Sequence, residues 1–105
     1  MIKVNPEFTQ LLVKEFGTVA QLGTLAEEGL EFSKEFLKYL FRSDKNKYWR
    51  GMESEFADIL VMVDQAKEIF DMDVVYIIMK QKLDRLCERL EKDGIEHPIA
   101  YMEVI

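Results

Sequence analysis

Apolar residues return at three- and four-residue intervals along most of this 105-residue chain, and the breaks between the runs predict four helices. Phe8, Leu11, Leu12 and Phe16 mark the first, from Pro6 to Phe16, with Asn5 as N-cap, Pro6 at the first helical position and Gly17 as its end. Thr18 is placed to cap the second, Val19 to Arg42, in which Leu22, Leu25, Ala26, Phe32, Phe36, Tyr39 and Leu40 share one side. Gly23 and Gly29 each weaken that helix by about 1 kcal/mol relative to alanine, which marks them as points of close approach, either in a crowded core or beside a ligand. Ser43 to Gly51 is polar, basic and turn-rich and reads as a loop. A third helix follows from about Met52 to Phe70 and a fourth from about Asp73 to Lys92. The tight turn between them, with Asp73 as N-cap, sets them antiparallel.

Asp93-Gly94 stops the fourth helix. The tail beyond it carries Pro98 and the apolar residues Ile99, Tyr101, Met102, Val104 and Ile105, and reads as extended and packed against its own core or a partner subunit. The expected fold is therefore all-α: an antiparallel bundle of about four helices with a short extended C-terminal tail, forming a single domain over residues 1–105.

Composition narrows the function. A net charge of -6 opposes nucleic-acid phosphates and anionic membranes, so neither is an expected partner. The single cysteine, Cys87, excludes an internal disulfide and a cysteine-rich zinc site, and the single His97 excludes a histidine cluster. With no signal peptide and no apolar run near the ~18 residues of a membrane span, the expected location is the cytoplasm.

The third helix carries acids where solubility does not require them. Its Ala57, Asp64, Lys67 and Glu68 form the expected solvated arc, but Glu55 and Asp58 lie in an arc with Ile59, Met62, Val63, Ala66, Ile69 and Phe70. A carboxylate on such a face costs several kcal/mol unless it is protonated, paired with a base or bound to a metal. On the second helix Glu27, Glu31 and Glu35 follow at intervals of four, and Glu28 borders the apolar arc. Alone, this helix passes as a solvated face with Lys34 and Lys38 as partners. Set antiparallel to the third, it would bring Glu28 and Glu31 toward Glu55 and Asp58. Four oxygen donors without cysteine or histidine suit Mg²⁺ or Mn²⁺.

Two cationic features accompany the acids. Lys82, Arg85 and Arg89 form a strip beside the apolar arc of the fourth helix, able to receive phosphates or to pair with neighbouring acids. In the Ser43–Gly51 loop, Lys45, Lys47 and Arg50 surround Trp49, which is either an aromatic flap over a nucleotide or a cover for the end of the bundle.

The order Glu27-Glu28-x-x-Glu31, twenty-three intervening residues, then Glu55-x-x-Asp58 within Glu-Phe-Ala-Asp-Ile-Leu resembles the signature of the MazG-like all-α nucleoside triphosphate pyrophosphohydrolases. The resemblance runs from about Gln21 to about Arg89. It implies a homodimer or homotetramer in which Glu28, Glu31, Glu55 and Asp58 bind Mg²⁺. It also implies cleavage of a nucleoside triphosphate between its α and β phosphates, giving the monophosphate and pyrophosphate. Glu27 or Glu31 would orient or deprotonate the attacking water, and Lys82 and Arg89 would stabilise the departing pyrophosphate. Those two fit the ends of a Lys-x-x-x-Asn-x-x-Arg pattern whose asparagine position holds Leu86 here. The alternatives are a non-catalytic helical oligomer that binds nucleotide or metal or serves as an interaction module, and a metal-free core in which Glu55 and Asp58 pair with Arg85 or Arg89.

Overall fold

A computed structural model describes residues 1–104; Ile105, part of the expected tail, lies outside them. The fold is all-α, with four helices and no strand among the described residues: α1 (Pro6–Phe16), α2 (Thr18–Phe41), α3 (Lys45–Ile69) and α4 (Met72–Lys92). Two compact units divide it, one from Met1 to Ile69 and one from Phe70 onward. No described helix is long and apolar enough to cross a membrane.

In the first unit, Asn5 caps α1 by accepting a 2.9 Å hydrogen bond from the Glu7 amide, with Pro6 behind it as expected. Gly17, at φ 90°, closes α1 and also stands at the N-cap of α2. The capping role expected of Thr18 is therefore not realised, because Thr18 is already the first residue of α2.

The main departure from expectation is the Ser43–Gly51 segment. Only Arg42, Ser43 and Asp44 separate α2 from α3, and the next seven residues are helical. Asp44 starts that helix: its carboxylate accepts from the Lys47 amide at 3.2 Å, leaving no need for a longer loop. Lys45 then reaches back to the Tyr39 and Leu40 carbonyls, which the end of α2 leaves without helical partners. Trp49 thus stands on a helix and not on a flap.

With so short a connection α2 and α3 form an antiparallel hairpin, and three pairings fix its register. Gln21 donates to Gln65, Glu28 meets Asp58, and Glu35 lies over Gly51. Each step of seven along α2 is a step of seven back along α3, about 10.5 Å of helix, so these pairs are successive layers of one coiled-coil-like seam. Leu25, Phe32 and Tyr39 on α2 and Tyr48, Met62 and Ile69 on α3 supply covered apolar and aromatic positions between them.

Glycine usage differs from the sequence expectation for the same reason. A Cβ at Gly23 or Gly29 would meet nothing, so neither marks a close approach, whereas one at Gly51 would stand 2.9 Å from the Glu35 carboxyl carbon. Gly51 is the crowded glycine because it faces the seam.

In the second unit Asp71, not Asp73, caps α4: its carboxylate accepts from the Asp73 and Val74 amides at 3.1 and 3.4 Å. Gly94, at φ 72°, ends the helix in a Schellman turn, with its amide on the Glu91 carbonyl and that of Ile95 on the Leu90 carbonyl. The tail has no regular structure after that. Its apolar residues Ile99, Met102 and Val104 are exposed rather than packed on the chain's own core, and polar side chains attach it to α4.

Candidate metal centre

The hairpin register decides which acids meet. Glu28 on α2 and Glu55 and Asp58 on α3 each place a carboxylate oxygen within 4.8 Å of the others. Glu28 and Glu55 are half-buried, while Asp58 is exposed. The wheel expectation that Asp58 carries an expensive buried charge is therefore corrected: the charge penalty falls on Glu28. Burial first, and then the neighbouring carboxyl groups of Glu55 and Asp58, hold the Glu28 carboxyl above its ordinary range. Within the Met1–Ile69 unit no lysine or arginine forms an ion pair with any of the three.

Glu31 does not join this cluster. It is exposed and pairs with Lys34 at 3.0 Å, about 60° round α2 from Glu28. Glu27 is exposed too, on the same side of α2 as Glu31 and about 40° beyond it. The structure thus brings together three of the four expected ligands and leaves both expected catalytic acids at the rim. Glu35, one layer further along the seam, has its side chain only 20% exposed and pairs with Lys38 at 3.3 Å.

The donor set fits a hard divalent cation. It offers three carboxylate oxygens from two helices, no nitrogen or sulfur, and an exposed side at Asp58 through which water or phosphate oxygens can complete the shell.

Trp49 packs its ring against Tyr39, with centroids 5.6 Å apart and planes tilted by 58°, and the Lys45 ammonium lies 5.0 Å from the Tyr39 ring. This aromatic and cationic group lies at the closed end of the hairpin, where α2 ends and α3 begins. Trp49 remains half exposed. Lys82, Arg85 and Arg89 belong to α4 in the second unit, where they fall within about 60° of one another on one exposed face.

The feature missed from the sequence is the seam ladder itself. Gln21, Glu28 and Glu35 repeat at sevens, as do Gly51, Asp58 and Gln65, and this heptad spacing of residues bordering the apolar arcs is the signal that would have paired Glu28 with Asp58. No family model matches the chain, and no curated protein and no solved structure matches it.

Proposed function

We propose that the chain is a metal-dependent nucleoside triphosphate pyrophosphohydrolase, with Mg²⁺, or Mn²⁺ in its place, held by Glu28, Glu55 and Asp58. The observation behind this reading is the convergence of three carboxylates from two helices with no cation of their own unit beside them. Three acceptors without a donor are a poor core arrangement and a good cation site. The order of acids, which resembles the MazG-like pattern, supplies the reaction class.

A bound divalent ion supplies a water of lowered pKa and neutralises phosphate charge. The residues of the chain do the rest. Glu31 and Glu27 stand at the exposed side of α2, where either can accept the proton of a water attacking the α-phosphorus; Glu31 must leave Lys34 to do so. Lys82, Arg85 and Arg89 supply the positive charge that a departing pyrophosphate requires. Trp49, half exposed beside Tyr39, offers a ring face on which a base can stack. The chain works in this reading as a homodimer or homotetramer in the cytoplasm.

Pyrophosphate release from a panel of ordinary and modified nucleoside triphosphates tests the reading. Turnover is expected with Mg²⁺, lost on chelation, and reduced on the order of 100-fold or more by Asp58→Asn, with a comparable loss for Glu31→Gln. Activity unchanged in both variants would refute it. Nucleotide binding that needs Mg²⁺ but gives no turnover for any base would instead identify a non-catalytic binding module.

A further inference from the structure

Polar contacts tie the tail after α4 to the helix. His97 Nε2 meets Glu91 Oε1 at 2.9 Å, the Tyr101 hydroxyl donates to Asp84 Oδ1 at 2.9 Å, and Lys80 Nζ donates to Glu103 Oε1 at 2.7 Å. Lys80 also lies 5.6 Å from the Tyr101 ring. As the tail advances from 97 to 103 its partners fall back from 91 to 80, so it runs antiparallel to α4. The lengths agree: eleven helical residues rise about 16.5 Å, and six extended ones reach about 20 Å. Residues 80, 84 and 91 share an arc of about 40° on α4, opposite the face of Lys82, Arg85 and Arg89. The tail is a strap along one stripe of the helix.

One anchor differs from the others in what it needs. His97 Nδ1 lies 2.8 Å from the Pro98 carbonyl oxygen, which can only accept, while Nε2 lies on a carboxylate, which also accepts. A neutral imidazole has one N–H, so both bonds exist together only in the imidazolium. The Pro98 carbonyl and then Glu91 accordingly raise the His97 pKa above 6.5, with burial opposing them. Glu96 lines the same open hollow as Glu91 and His97 and adds negative charge there. The other anchors keep their states through the neutral range: Lys80 and Tyr101 are raised from 10.5 and 10.0, and Glu103 is lowered from 4.5.

We propose that His97 is a proton-operated latch on this strap: charged, it makes both bonds and fixes the first half of the tail to Glu91; neutral, it keeps only one of them and loses its charge pairing with Glu91, which loosens that half while Tyr101 and Glu103 keep the far end in place. The sign follows from linkage. A histidine whose pKa is raised in the folded state gives its full contribution below its unfolded value and loses it as pH rises through the folded value.

NMR of the intact chain tests the latch. The order of Ala100, read from its methyl group, and the titration of the His97 ring carbons are followed from pH 5.5 to 8.5. The expected result is order typical of rigid backbone, about 0.85, at the acid end and below about 0.6 at the alkaline end, while the Lys80–Glu103 end stays ordered throughout. Glu91→Ala should leave Ala100 mobile at both ends and return the His97 pKa toward its ordinary value. Ala100 equally ordered at both pH values in the unsubstituted chain, or equally ordered in Glu91→Ala at pH 5.5, would overturn the proposal.

Discussion

Two polar layers one heptad apart in the same hairpin solve the same problem in opposite ways. Glutamine is both donor and acceptor, so the Gln21 amide donates to the Gln65 carboxamide oxygen, while Gln65, 2% exposed, directs its own amide nitrogen at the Met62 sulfur. Glu28, Glu55 and Asp58 are acceptors only, and when ionised they cannot satisfy one another at all. The first layer is closed chemistry and contributes to register. The second is open: it asks for a proton or a cation, and its exposed side admits one. Burial alone would mark the amide layer as the more constrained, yet the acid layer is where a ligand is needed.

The largest test of this contrast is the response to cations and protons. Saturating Mg²⁺ should raise the melting temperature of the unsubstituted chain, since a ligand present at a hundred times its Kd stabilises a fold by about 2.7 kcal/mol. Asp58→Asn should abolish the shift and Gln21→Leu should leave it intact. A metal-free core predicts no shift for any of them. In chelator, the raised Glu28 pKa means that the folded state binds more protons than the unfolded one between 4.5 and the raised value. Stability from this group therefore grows as pH falls from neutral toward 4.5, and the Glu28→Gln variant should show a flatter profile over that window. Identical profiles in differential scanning calorimetry would show that the three acids do not converge in solution.

The amide layer should fail differently. Gln21→Leu orphans the carboxamide oxygen of buried Gln65 and should cost about 1–3 kcal/mol by urea denaturation. Replacing both glutamines by leucine removes donor and acceptor together and should restore most of that loss. If the single and double variants lose equally, the two side chains are not partners.

The helices were legible in the sequence because caps and periodicity agree at Asn5, Pro6, Gly17 and Gly94. The start of α3 was not, because the polar, basic and turn-rich run from Ser43 to Gly51 reads as a loop. Asp44, three residues ahead of Lys47, was the stronger signal, since a capping carboxylate acts locally while a glycine penalty of about 1 kcal/mol is easily overridden by packing. The site was half legible. The wheel singled out Glu55 and Asp58, which do meet in the structure, but which α2 acid faces them depends on the hairpin register. That register is set by the three-residue turn and by seam pairs far apart in sequence, and it selects Glu28 over Glu31. The expected weighting of the two motifs is changed as well, since the perturbed carboxyl belongs to the first.

The third layer, Glu35 over Gly51, offers the smallest and sharpest test, because it is the acid layer with one partner removed. In an unobstructed helix Gly→Ala stabilises by about 1 kcal/mol. Here the new methyl would meet the Glu35 carboxyl group, whose side chain is held toward the seam and paired with Lys38. Gly51→Ala should therefore gain clearly less than about 1 kcal/mol in the unsubstituted chain, and the full amount when Glu35 is first replaced by alanine. The difference between the two backgrounds measures the crowding directly. An equal gain in both would mean that Glu35 does not lie over Gly51, and the register that brings Glu28 to Asp58 one heptad away would lose its support at this layer.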